Sequence, residues 1–124
     1  MPADILIAED YEDNRELLRL MLSAEGHSIR EARNGREAVA MTKENPPDLL
    51  LMDLSMPVLD GWGALKELRA DERTRRIPCV AITAFDQPAR SGVGDGDHFD
   101  GYLSKPFKSK EVLNLVERLL HDRG

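Results

Sequence analysis

Leu49-Leu50-Leu51-Met52-Asp53-Leu54-Ser55-Met56-Pro57 decides how this chain folds. A short unbroken apolar run, closed by an acidic residue and then by turn-forming serine and proline, reads as a β-strand buried on both faces, here over Asp48 to Asp53. Such a strand belongs in the middle of a parallel sheet. A second run lies upstream, Ile5-Leu6-Ile7-Ala8, and Glu9 and Asp10 close it. In an open α/β sheet the ligand crevice forms beyond the carboxyl ends of the strands, where the strand order reverses. The carboxylates of the two runs therefore meet there. Gathered without a partner they repel and are driven to protonate, so the arrangement calls for a bound cation.

Outward from these runs, strand and helix patterns alternate. After the first strand, Asp4 to Ala8, a helix is predicted from about Asn14 to Glu25, with Leu17, Leu18, Met21 and Leu22 on its inward face and Gly26 as its stop. Strand Ser28 to Ala32 and the turn Asn34-Gly35 lead into a shorter helix through Ala38 and Val39, which ends before Pro46-Pro47. Beyond Met56-Pro57, Asp60 is placed to cap a helix that carries Trp62, Leu65 and Leu68 inward. A basic connector, Arg73 to Arg76, precedes the strand Pro78 to Thr83. The last strand is Tyr102 to Ser104, and the last helix presents Val112, Leu113, Val116, Leu119 and Leu120 at helical spacing. Strict alternation of this kind specifies a parallel sheet covered by helices on both faces, with right-handed crossovers.

The stretch between Thr83 and Tyr102 is the exception. Gly92, Gly94 and Gly96 would each cost a helix about 1 kcal/mol relative to alanine. A turn or two near Pro88 is the most helix expected there, and Pro88 to His98 is expected to be mobile.

Bulk properties narrow the function. At 124 residues the chain makes a single domain over 1–124, without an internal repeat or linker. A net charge of −6 argues against nucleic acid or an anionic membrane as the main partner. The lone Cys79 sits in an apolar run and reads as a small core residue. No apolar run reaches membrane-spanning length, and Met1-Pro2-Ala3-Asp4 enters a strand without a basic or cleavable leader, so a cytoplasmic protein is expected. His27, His98 and His121 lie on unrelated elements without metal-ligand spacing and are assigned to the surface.

Two further strand ends complete a constellation. Thr83 closes the fourth strand, and Lys105, followed by Pro106, closes the fifth. Carboxylates for a hard cation, one of them a nucleophile, with a hydroxyl and an ammonium for anionic oxygens, together describe phosphoryl transfer to an aspartate. Each residue alone has a blander role as cap, β-former or solvated charge. Their joint occurrence on four strand ends is what those roles do not produce. A flavin-binding flavodoxin would need a hydroxyl- and glycine-rich loop after the first strand, where this chain has Glu9-Asp10-Tyr11-Glu12-Asp13. A dehalogenase-type aspartyl-phosphate hydrolase would need a second aspartate two residues after its nucleophile, where this chain has Ser55. Gly92-Val93-Gly94-Asp95-Gly96 follows no strand and is no dinucleotide loop, and Asp95, Asp97 and Asp100 lack the spacing of a calcium loop.

With these residues in place the chain resembles the receiver domain of two-component response regulators, in its stand-alone, chemotaxis-regulator-like form, from Ile5 to Leu120. The motifs are Ala8-Glu9-Asp10, Leu51-Met52-Asp53-Leu54-Ser55-Met56-Pro57, Asp60-Gly61, Ile82-Thr83-Ala84 and Tyr102-Leu103-Ser104-Lys105-Pro106. The resemblance implies a flavodoxin-like, doubly wound, five-stranded parallel sheet in the order 2-1-3-4-5. It implies that Asp53 accepts a phosphoryl group from a phosphohistidine on a sensor histidine kinase or histidine phosphotransfer protein. Asp10 and Asp53 would ligate Mg²⁺ with the Ser55 backbone carbonyl, Glu9 would contribute through water, and Lys105 and Thr83 would bind phosphoryl oxygens. Tyr102 resembles the aromatic that turns inward when Thr83 moves, although an aromatic in a short strand is as often simply core. The Lys105-Pro106 bond is expected to be cis. The implied protein is a signalling phospho-acceptor, not an enzyme, with no output domain, that switches contacts with a downstream protein target. The complete residue set argues against a degenerate receiver serving only as a scaffold. Ser55 and Phe85, which flank the approach of a hydrolytic water in that family, are weak at positioning it, so a long-lived phosphoryl group is expected.

Overall fold

The computed structural model describes residues 2–83 and 98–122. Its elements run β1 (Asp4–Ala8), α1 (Glu12–Ser23), β2 (Ser28–Ala32), α2 (Gly35–Glu44), β3 (Leu49–Asp53), α3 (Gly61–Arg69), β4 (Cys79–Thr83), β5 (Gly101–Ser104) and α4 (Ser109–Asp122). The five strands pair in the order β2-β1-β3-β4-β5, every pair parallel, which is the doubly wound order expected. The expectations of a curtailed helix and a mobile segment between β4 and β5 concern residues 84–97, which lie outside the described residues.

The apolar runs are explained by the two layers that cover them. Side chains alternate between the faces of a strand. Leu50 and Met52 accordingly join Leu6, Ala81, Ala38, Leu65 and Leu68 beneath α2 and α3. Leu49 and Leu51 join Ile5, Ile7, Val80, Leu18, Leu22, Val112 and Val116 beneath α1 and α4. Every residue of β3 and of β4 is buried. Each leucine so buried is worth about 1.5–3 kcal/mol in area removed from water, which leaves a central strand no freedom to slip register.

Local chemistry sets the helix ends. The Asn34 side chain accepts from the Glu37 N–H at 2.8 Å, while Glu37 accepts in return from the Arg33 N–H at 3.0 Å, and together they start α2. Asp60 caps α3 by accepting from the Gly63 N–H at 2.8 Å, as expected. After α1, Gly26 takes φ +90°, its N–H bonds the Ser23 carbonyl, and the His27 N–H bonds the Leu22 carbonyl, the paired closure that needs a left-handed residue.

Two expectations need correction. Helix α1 begins at Glu12, with no side-chain cap at Tyr11, and Leu17 is 41% exposed; the buried stripe is Leu18 and Leu22, with Met21 at its edge. His27 is not a surface histidine. Its half-buried Nδ1 accepts the Ala3 N–H at 3.0 Å at the entry to β1, and burial holds its pKa below the ordinary value. Among the described residues no helix is long and apolar enough to cross a membrane.

Candidate functional site

Parallel pairing puts the carboxyl ends of the strands along one edge. Ala8 pairs with Met52, Asp53 with Ile82, and Thr83 with Ser104, so Glu9, Asp10, Asp53, Thr83 and Lys105 all leave the sheet at the same level. The structure thus brings together the residues that the sequence singled out.

Asp53 is 2% exposed, and both its oxygens are engaged. Oδ1 accepts the Ser55 N–H at 2.8 Å, and Oδ2 accepts from Lys105 Nζ at 2.7 Å. Glu9 is fully buried. Its Oε2 accepts the Tyr11 N–H at 3.0 Å. Its Oε1 lies 3.1 Å from Lys105 Nζ in an ion pair and, among the described residues, accepts no well-formed hydrogen bond. Asp10 is exposed at the mouth. Glu9, Asp10 and Asp53 each offer an oxygen to a common point, all within 4.8 Å of one another.

The electrostatics show an unbalanced site. Burial, opposed by the Tyr11 N–H bond and reinforced by the nearby Asp53 carboxylate, pushes the Glu9 carboxyl up to about 7. Burial of Lys105 works to lower its pKa, but its hydrogen bond to Asp53 and the attraction of the Glu9 carboxylate outweigh this and hold it above the ordinary value. Among the described residues, one ammonium thus pairs with two of three clustered carboxylates, and Glu9 keeps a buried oxygen without a hydrogen bond. A hard divalent cation fits that donor set, since Mg²⁺ and Ca²⁺ take oxygen ligands and carboxylates above all.

The other predicted residues take less central positions. Thr83 is buried at the end of β4, and its carbonyl accepts the Lys105 N–H at 2.9 Å, which ties the two strand ends together. Ser55 is exposed and reaches the cluster through its N–H on Asp53. Tyr102 is 39% exposed, so a plain core role does not describe it. Its ring meets Phe99 edge-on at 6.1 Å, and Phe99 in turn meets Trp62 at 5.1 Å. The Lys105-Pro106 bond is cis, as expected. Cys79 is a buried thiol pushed up to about 12 by burial, which suits the core role read from sequence.

The loop from β3 to α3 shows why the Asp60-Gly61 motif needs its glycine, and carries a turn at Val58 that the sequence reading did not single out. A Cβ on Gly61 would stand 2.6 Å from the Asp53 carbonyl oxygen and 2.9 Å from the Leu54 Cα, so only glycine lets α3 start directly against the acceptor strand. Val58 takes φ +69° at the centre of a tight turn closed by the Leu59 N–H on the Pro57 carbonyl at 2.7 Å, with its side chain 80% exposed. Arg15 was also missed. Its guanidinium donates to the Glu9 carbonyl at 2.9 Å and to Glu31 at 3.0 Å, contacts visible only once β2 lies beside β1.

A doubly wound sheet with an acidic cluster, an ammonium and a threonine at its carboxyl edge defines a receiver domain, and the chain matches the response regulator receiver domain family over residues 5–117. It belongs to that family, whose members act as phosphoryl acceptors in two-component signalling and bind Mg²⁺ in doing so. It is similar to the polar-differentiation response regulator DivK of Brucella anthropi, at 34% identity covering 98% of this chain and 99% of that one. A putative response regulator from Chloroflexus aurantiacus superposes with a TM-score of 0.89 at 30% identity, covering 98% and 99% of the two chains. The receiver domain of a sensor histidine kinase from Pseudomonas aeruginosa, whose structure has a magnesium ion coordinated in the active-site cleft, superposes with a TM-score of 0.83 at 32% identity, covering 98% and 99%.

Proposed function

We propose that Asp53 is the phosphoryl acceptor, fed by a phosphohistidine on a sensor histidine kinase or histidine phosphotransfer protein, and that its phosphorylation switches contacts with a downstream protein. The observation that carries this reading is the bridge from Lys105 Nζ to Asp53 Oδ2 at 2.7 Å and Glu9 Oε1 at 3.1 Å. It puts one ammonium between the strand-end carboxylates of Asp53 and Glu9, beside the oxygen that Asp10 offers to the same cluster. A carboxylate oxygen of Asp53 attacks phosphorus in line, the P–O bond forms as the P–N bond breaks, and the departing imidazole takes up a proton. Lys105 and Thr83 receive the phosphoryl oxygens, which stabilises the charge on them. Glu9, Asp10 and Asp53 are the residues that would hold Mg²⁺, with the Ser55 carbonyl and with Glu9 acting through water. Bound there, the ion offsets the repulsion between an anionic acceptor and an anionic phosphoryl group.

Tyr102, half-exposed and edge-on to Phe99, is the group we expect to change place when Thr83 engages a phosphoryl oxygen. Beyond accepting the group and losing it by hydrolysis, no catalytic turnover is assigned to the protein. The reading places it in the cytoplasm, and a net charge of −6 suits protein partners better than nucleic acid or an anionic membrane. Incubation with a phosphohistidine donor or acetyl phosphate, followed by intact mass spectrometry, tests the proposal. The protein should gain one phosphoryl group only with Mg²⁺ present, and Asp53→Asn should gain none. Uptake by that variant at the wild-type rate would refute the assignment.

A further inference from the structure

Arg15, in the first turn of α1, has none of the roles assigned above, yet beside the acidic cluster its side chain is more deeply buried than that of Lys105. Its side chain is only 12% exposed. One guanidinium nitrogen donates to the Glu9 carbonyl at 2.9 Å, and Nε donates to Glu31 Oε1 at 3.0 Å, near the end of β2. Arg19, one turn further on, stands 3.7 Å from the other Glu31 oxygen and helps hold that carboxylate in place. The Glu9 N–H is already tied to the Ala32 carbonyl of β2 at 3.0 Å. Both ends of the Glu9 backbone are thus fastened to β2, one directly and one through Arg15.

A peptide unit is planar, so an arm that fixes the Glu9 carbonyl also fixes the Asp10 N–H and the direction in which the chain enters Asp10. We propose that Arg15 is a positioning residue for the cation cluster: braced by Glu31, its guanidinium sets the Glu9-Asp10 peptide and so aims the Asp10 carboxylate. The proposal rests on the reading that Glu9, Asp10 and Asp53 hold the cation. It calls for arginine in particular, because the planar fork gives two bonds at a fixed angle and lysine's ammonium is a point charge. Groups that orient metal ligands from one layer out typically change metal affinity 10- to 100-fold when removed.

Charge and position predict opposite signs here, which makes the test decisive. Removing a positive charge from beside a cation site should by Coulomb's law tighten cation binding, whereas loss of a positioning arm should weaken it. Mg²⁺ affinity is measured calorimetrically on the full chain for wild type, Arg15→Gln, Arg15→Lys, Glu31→Gln and Asp10→Asn, with the metal-free unfolding midpoint of each as a control for folding. Arg15→Gln is expected to bind Mg²⁺ about 10-fold or more weakly. Arg15→Lys should recover little of that, and Glu31→Gln should lose affinity in the same direction by less. Phosphoryl uptake by Arg15→Gln should need more Mg²⁺ for half-saturation yet reach the wild-type rate when saturated, a split that general loosening of the fold would not give. Should Arg15→Gln fail to fold, Arg15→Lys and Glu31→Gln carry the same comparison. Unchanged or tighter Mg²⁺ binding in the arginine variants would overturn the positioning role. Absence of Mg²⁺ binding by wild type, or wild-type binding by Asp10→Asn, would instead refute the metal reading beneath it.

Discussion

Glu9 should make the metal-free protein lose stability as pH rises, and Mg²⁺ should restore it. The Glu9 carboxyl is raised from 4.5 to about 7 in the folded protein. Below about 4.5 it is protonated folded or unfolded and contributes no pH dependence. Between the two values the folded state keeps a proton that the unfolded state has released, so stability falls steadily, and above about 7 the penalty is complete. A displacement of that size corresponds to about 3 kcal/mol, which for a domain of this length is roughly 10 °C in unfolding midpoint. A divalent cation bound to the ionised cluster offsets the same repulsion, so the stabilisation by Mg²⁺ should be small near pH 5 and large near pH 8. Glu9→Gln removes the ionisation; metal-free, it should be more stable than wild type at pH 8, with the gap closing towards pH 5. Thermal unfolding at a series of pH values, with and without excess Mg²⁺, measures all of this. A Mg²⁺ effect of equal size at pH 5 and pH 8, or a Glu9→Gln gap independent of pH, would show that the buried carboxylate is not the source.

Other expectations follow from single contacts. Gly61→Ala puts a methyl group against backbone atoms of Asp53 and Leu54 that cannot yield, so it should cost about 1–3 kcal/mol of stability and slow phosphoryl uptake, both measurable on one preparation. His27 has its pKa held down by burial, so its contribution to stability is complete above the ordinary value of 6.5 and is lost as pH falls below it; His27→Gln should lack that acid-side loss in a direct comparison with wild type. The phosphoryl group should decay slowly, and Ser55→Asn and Phe85→Glu, which supply groups able to orient a water, should shorten its lifetime; unchanged or longer lifetimes would count against the argument.

What was legible in the sequence follows from which interactions are local. The runs Ile5–Ala8 and Leu49–Met52 announce buried strands because both faces are covered, and an acid directly after such a run must lie at the sheet's carboxyl edge. Glu9, Asp10 and Asp53 were readable for that reason, and so was Asp60 as a cap, since a cap bonds within its own turn; Asn34, read as half of a turn, also proves to cap α2. Leu17 was misplaced because Leu17 with Met21 and Leu18 with Leu22 are equally good stripes at a spacing of four, and no capping side chain at Tyr11 marks where α1 starts. Only packing against β1 and β3 chooses Leu18 and Leu22. The Nδ1 bond of His27 to Ala3 and the clasp of Arg15 on Glu9 and Glu31 cross 24, 6 and 16 residues of chain, and depend on β1 and β2 pairing in register. No periodicity in one sequence reports such contacts.

If the carboxylate at the end of β3 takes the phosphoryl group, that group can be located there chemically. An acyl phosphate is reduced by borohydride to the alcohol, so treating the phosphorylated protein with tritiated borohydride and mapping its peptides labels the acceptor itself. The label should appear at Asp53, depend on Mg²⁺ during phosphorylation, and be absent when Lys105 or Asp10 has been replaced and uptake has failed. Label at Asp10 or Glu9, or phosphorylation that leaves Asp53 unreduced, would contradict the assignment.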